Sequence, residues 1–257
     1  MNDRLKSIIL EAGDELQQWR ERFNPDQIDF KSEADLVTQA DRAIEERLRR
    51  ELATAFPDFG FVGEEGGRSG DAEKYFLVDP VDGTTSFVHG IPYYSISIAV
   101  KQHGETTHGV VLAPALGQLF QAEKGGGATC NGSSLHVSQT AELIHALGAT
   151  GFACVRQRVK PDNLPLFADV IHRLRGVRRF GSAAVDLCMV AQGVLDLYWE
   201  LNIQPWDIAA GTLVVREAGG KVTDFDGQDG TETNHRIVAS NGALHRAFLE
   251  RVRAVYG

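Results

Sequence analysis

The chain has 257 residues, 43% hydrophobic and 24% charged, the make-up of an ordinary soluble globular protein with room for one large domain or two compact ones. Its net charge of −9 would repel polyanions, which argues against an extended nucleic-acid surface, although Arg173, Arg175, Arg178 and Arg179 form a local basic patch. No apolar run is long enough to cross a bilayer, the N-terminus lacks the basic head and apolar core of a signal peptide, and Cys130, Cys154 and Cys188 form neither a disulfide framework nor a CxxC pair, so a cytoplasmic location is expected.

Leu5, Ile8, Ile9, Ala12, Leu16, Trp19 and Phe23 recur at helical spacing, and Asn24-Pro25 is expected to end that helix. A second helix is predicted from about Gln39 to Ala55. Lys74 to Val78 reads as a short strand that delivers Asp79 at its end. Alternation over Tyr94–Gln102, Thr106–Leu112 and Gln118–Glu123 predicts neighbouring antiparallel strands, with turns at Gly125-Gly126-Gly127 and Asn131-Gly132. Beyond about residue 140 strands and helices alternate: strands at Ala146–Thr150, Val177–Phe180, Val194–Glu200, Lys221–Asp224 and Arg236–Ala239, helices over Asn163–Leu174, Ala183–Ala191, Ile208–Ala218 and from Ala243. We therefore expect an α+β part over residues 1–140 and an α/β part over 141–257.

Three clusters carry chemistry. In Asp79-Pro80-Val81-Asp82-Gly83-Thr84-Thr85 two carboxylates stand three residues apart at a strand end, and free N–H groups of a following helix would form an anion site beside them. A capped turn would contain the same residues. Gly63-Glu64-Glu65-Gly66-Gly67 places two acidic side chains in a glycine-rich loop that is not a P-loop. Trp206-Asp207-Ile208-Ala209-Ala210-Gly211 puts Asp207 at a helix N-terminus, where a capping role would look the same. Ser182 lies in F-G-S-A-A, not G-x-S-x-G, and the eight histidines offer no H-E-x-x-H pair.

Taken in order, the glutamate after a glycine, D-P-V-D-G-T-T and W-D-x-A-A-G resemble the inositol monophosphatase family. The resemblance covers nearly the whole chain, through Lys31-Ser32 with Asp35-Leu36-Val37-Thr38 and Asp41, Gly126–Gly132, Phe180–Ala184, Glu217–Gly220 and Ala239-Ser240-Asn241. It implies a layered αβαβα sandwich of the inositol monophosphatase / fructose-1,6-bisphosphatase type. It also implies Mg2+, two or three ions, held by Glu64, Asp79, Asp82, Asp207 and the carbonyl of Val81, an all-oxygen set suited to a hard cation. Water activated by Glu64 and by Thr84, the latter hydrogen-bonded to Asp41, would attack phosphorus with no phosphoenzyme. Backbone N–H groups of Gly83 and Thr84 would hold phosphate oxygens. Asp82, Gly181, Ser182, Ala183 and Glu200 would meet the alcohol half, and Lys31 and Thr38 belong to the same neighbourhood. The implied reaction is Li+-sensitive hydrolysis of inositol-1-phosphate or another polyol or sugar monophosphate by a homodimer. Relatives on this scaffold include histidinol-phosphate phosphatases and partners of the transcription and ribosomal-RNA machinery. Ser86 stands where the branch usually has Asn, and Gln204-Pro205 precedes Trp206; both departures touch the substrate side.

Overall fold

The computed structural model describes residues 1–22, 29–32, 35–37, 39–229, 233 and 235–257, with side chains described outside 22–38. Helix α1 (Asn2–Arg22) and helix α2 (Gln39–Ala55) flank a small antiparallel hairpin of β1 (Asp29–Ser32) and β2 (Asp35–Val37). The expected helix end at Asn24-Pro25 and residue Thr38 lie outside the described residues, and for Lys31 only the backbone, in β1, is described. The two helices pair through Leu5, Ile9, Ala12 and Leu16 of α1 and Ile44, Leu48 and Leu52 of α2, all fully buried on a sheet. Each such Leu or Ile contributes about 2 kcal/mol of burial, which is why the 3.6-residue spacing is kept.

That sheet contains β3 (Gly60–Gly63), β4 (Gly67–Ser69), β5 (Lys74–Asp82), β6 (Ser95–Gln102), β7 (Glu105–Ala113), β8 (Gln118–Glu123), β9 (Gly127–Cys130) and β10 (Ser133–Ser134). Its order is β10-β9-β8-β7-β6-β5-β3-β4, antiparallel throughout except for the parallel β3–β5 pair. Ser95 to Lys101 are buried without interruption because this sheet is covered on both faces.

The second sheet contains β11 (Leu147–Thr150), β12 (Gly176–Arg178), β13 (Leu197–Leu201), β14 (Lys221–Thr223) and β15 (Arg236–Ser240), ordered β12-β11-β13-β15-β14. Between the sheets lie α6 (Ala183–Ala191) and α7 (Pro205–Glu217), preceded in the chain by α3 (Thr84–His89), α4 (Ala153–Arg156) and α5 (Leu164–Val170). Helices α5 and α8 (His245–Tyr256) cover the outer face of the second sheet. The layers therefore run α1/α2, sheet, α6/α7, sheet, α5/α8. The middle pair is apolar nearly all round: Ala184, Leu187, Ala191, Ala209, Ala210 and Val214 are buried in one cluster with residues of both sheets.

Several predicted boundaries need correction: α5 ends at Val170, not Leu174, β12 at Arg178, not Phe180, and β13 begins at Leu197, not Val194. The strand beginning at Lys74 does not stop at Val78; it continues through Asp82, pairing Asp79 with Ser97 and Asp82 with Ser95 across a register shift. The shift falls at Pro80-Val81, where proline removes a ladder donor. Helix α7 begins at Pro205, not Ile208, with proline in its first turn, where a missing N–H costs nothing.

Candidate active site

Strand β5 ends where β6, α3 and α6 meet. Gly83, just beyond it, has φ 92°, and a Cβ there would stand 3.0 Å from the Tyr93 carbonyl oxygen and 3.1 Å from that of Gly181. Glycine is thus required both by conformation and by the close passage of the segment leading into α6. That approach fixes Asp82. The Ser182 hydroxyl donates to its Oδ2 at 2.6 Å, as does the Ala184 N–H at 2.7 Å, and the Ala183 N–H reaches Oδ1 at 3.3 Å. Ser182 is also the N-cap of α6, accepting from the Val185 N–H.

Asp79 accepts the Val81 N–H at Oδ1, 3.0 Å, in its own turn. Asp207 is the third residue of α7, and the Gln204 N–H donates to its Oδ2 at 3.0 Å, the return half of a capping box. Its capping role and its place in the site therefore coexist on two oxygens. Glu64, between β3 and β4, is the exposed member of the group. Glu200, on β13, accepts the Tyr198 hydroxyl at 2.5 Å and packs on Gly151, where a Cβ would come within 2.0 Å of its Oε1.

Glu64, Asp79, Val81, Asp82, Gly83, Thr84, Gly181, Ser182, Ala183, Glu200 and Asp207 all line one cavity of about 160 Å3. Asp41 does not line it. It is buried behind Asp79, close enough for its charge to be felt there. The Thr84 hydroxyl donates to the Val81 carbonyl at 3.0 Å, so the implied bond from Thr84 to Asp41 is corrected: the helical turn brings the carbonyl three residues back within reach, and a hydroxyl has one proton. The carbonyl keeps a second lone pair.

The electrostatics is dominated by burial and crowding. Asp79 is held well above the usual carboxylate range by burial and then by the charges of Glu64, Asp82, Asp207 and Asp41. Asp207 is raised by burial and by Asp82 and Glu64. Burial also raises Asp82, against the bonds from Ser182 and the Ala184 and Ala183 amides, and pushes Glu200 up to about 7 against its bond from Tyr198. Buried carboxylates that raise one another gain most from a cation among them, and an all-oxygen donor set is what Mg2+ requires. As placed, no three Asp, Glu, His or Cys side chains among the described residues converge on one point. The donor chemistry fits a hard cation.

Other lining residues were not picked out by the sequence reading as site residues: Thr150, Gly151, Ala153, Arg179, Asp186 and Ile203. Asp186 was legible in part, since it falls one helical turn after Ser182 and so shares its face. It is buried and raised well above the carboxylate range by burial, then by Asp82 and Glu200. In sequence, Arg179 stands out only as part of a basic patch.

The model of the Inositol monophosphatase family matches residues 4–256. The chain is 40% identical to the Inositol-1-monophosphatase of Mesorhizobium japonicum, over 88% of this chain and 86% of that one. It is 39% identical to the Nus factor SuhB of Pseudomonas aeruginosa, over 94% and 92%. It also spans 64% of the length of the Arabidopsis thaliana chloroplastic phosphatase IMPL1, at 41% identity over 89% of this chain. Among solved structures, that of an inositol monophosphatase from Anabaena superposes with a TM-score of 0.89 at 36% identity, covering 98% of this chain and 95% of that one.

Proposed function

The chain belongs to the inositol monophosphatase family and is a phosphoric monoester hydrolase, and on that premise we propose that it hydrolyses inositol-1-phosphate or a similar polyol monophosphate with Mg2+. The observation that carries the reading is the convergence of Glu64, Asp79, Asp82, Asp207 and Glu200, from separate elements, on one cavity. In this reading Glu64, Asp79, Asp82, Asp207 and the Val81 carbonyl hold the ions, two or three in number. When bound, Mg2+ neutralises the phosphate and leaving oxygen and lowers the pKa of water.

The chain's own groups supply the rest. Glu64 orients the attacking water, and the Thr84 hydroxyl stands next to the same position with its proton held by Val81. The Gly83 and Thr84 N–H groups face the phosphate oxygens. Asp82, Gly181, Ser182, Ala183 and Glu200 meet the alcohol half, with Glu200 accepting from a substrate hydroxyl on the oxygen that Tyr198 leaves free. A homodimer is proposed on family resemblance. The test is phosphate release from a panel of inositol-1-phosphate, sugar monophosphates and L-histidinol phosphate, with Mg2+ and with added Li+. Inositol-1-phosphate should give the highest kcat/KM, with inhibition by Li+; no release from any ester would overturn the reading.

A second reading rests on the relative named a Nus factor: this chain also binds the transcription machinery. Recovery of RNA polymerase or its elongation factors in a pull-down would support it, and their absence would count against it.

A further inference from the structure

Helix α2 buries a stripe that its leucine face does not require: Asp41 is 4% exposed and Glu45, one turn later, 3% exposed. A buried carboxylate costs several kcal/mol unless its oxygens are bonded. Glu45 is bonded at both. Its Oε2 accepts the Glu65 N–H at 2.7 Å, and its Oε1 accepts the Gly66 N–H at 2.7 Å. These are the two amides that immediately follow Glu64.

Glu45 is itself held. Arg49, a further turn along α2, donates to Glu45 Oε1 at 2.9 Å. The same guanidinium reaches the Ser69 hydroxyl at 2.9 Å and the Gly67 carbonyl at 3.3 Å, and lies 4.2 Å from the centre of the Phe61 ring. One helix therefore grips both strands of the β3–β4 hairpin and the turn between them. The grip also accounts for the glycines of the motif. A Cβ at Gly63 would lie 2.4 Å from Glu45 Oε2, and one at Gly66 would lie 2.6 Å from Oε1. The G-E-E-G-G pattern is what lets a carboxylate dock against the turn.

We propose that Glu45 is a positioning residue for Glu64: by fixing the two amides after it, Glu45 sets where the exposed Glu64 carboxylate stands and hence how tightly the site takes a divalent cation. The proposal rests on Glu64 being a metal ligand. It assigns α2 two tasks on one face, with Asp41 behind Asp79 and Glu45 behind Glu64.

The test pairs hydrogen–deuterium exchange of the metal-free protein with Mg2+ titration by calorimetry, for wild type, Glu45→Gln and Arg49→Met. Glu45→Gln keeps the shape but turns an NH2 group toward one of the two amides. Exchange at Glu65 and Gly66 should rise at least tenfold, while β5 and β6 stay protected, and the Mg2+ dissociation constant should rise about tenfold or more. Arg49→Met, the milder change, should move both readouts in the same direction and guards against a Glu45→Gln protein that does not fold. Unchanged exchange at those amides overturns the proposal, as does faster exchange with an unchanged Mg2+ constant. A wild-type protein that takes up no Mg2+ overturns the metal reading beneath it, independently of the amides.

Discussion

Asp82 has two kinds of work, and substitution separates them. Asparagine presents one acceptor oxygen where the carboxylate uses two, so one set of donors among Ser182, Ala183 and Ala184 faces an NH2 group instead. Asp82→Asn should lower kcat by about two orders of magnitude or more, and should also lower stability by about 1–3 kcal/mol. Kinetics beside chemical denaturation checks both; loss of turnover at unchanged stability would mean the bonds to α6 contribute nothing. At Gly151 the added methyl would meet Glu200 at 2.0 Å. Gly151→Ala should therefore lower kcat/KM for a polyol phosphate about tenfold to a hundredfold by displacing that carboxylate, read by comparing inositol-1-phosphate with phenyl phosphate. Asp82 was legible as a chemical residue, because two carboxylates around a proline and before a glycine are an unusual turn. Gly151 was not: nothing near it in sequence announces that Glu200, 49 residues on, lies against it.

Between elements, His245 joins β14, β15 and the start of α8. Thr223 gives its proton to the Asp224 carbonyl, so its oxygen accepts from Nε2–H, while Ser240 donates to Nδ1. Both bonds use the neutral ring, and burial, with Lys221 nearby, pulls its pKa from 6.5 down to about 4. The unfolded chain takes the proton first, so this stability is present above about pH 6.5 and is lost as the pH falls toward 4. The loss is roughly 3 kcal/mol over that window at about 1.4 kcal/mol per pH unit. Unfolding free energies at pH 7 and pH 4.5 should diverge more in wild type than in His245→Gln; equal slopes would show that the ring titrates normally when folded. Element boundaries were most legible where burial follows one period. Helix α2 was predicted at its observed bounds, as was α6. Of the β3–β4 hairpin the sequence shows only the glycine-rich loop Gly63–Gly67, because Gly60–Gly63 and Gly67–Ser69 are short and gain their strand character from β5 and from the Glu45–Arg49 grip.

On the scale of the whole molecule, the carboxylates raise one another because their charge is concentrated between two sheets. A divalent cation should therefore bind the folded state preferentially. At a hundred times its dissociation constant, Mg2+ should add about 2.7 kcal/mol of stability, seen as a rise in Tm that a chelator reverses. No rise would count against the metal site. The layered architecture followed from the family resemblance, while the alternation of elements led only to an expected division near residue 140. The packing of α6 and α7 between the sheets was not readable, because helices apolar nearly all round carry little signal of which face meets which partner.

The cavity draws Glu64, Asp79 and Asp82 from the first half of the chain, and Ser182, Glu200 and Asp207 from the second. Synthesis on the ribosome runs in that order, so the nascent chain exposes three acidic side chains more than a hundred residues before Asp207 is made. Without α6 and α7 the cavity lacks Ala183, Asp186 and Asp207. A product that stops before residue 207 lacks part of the cavity lining.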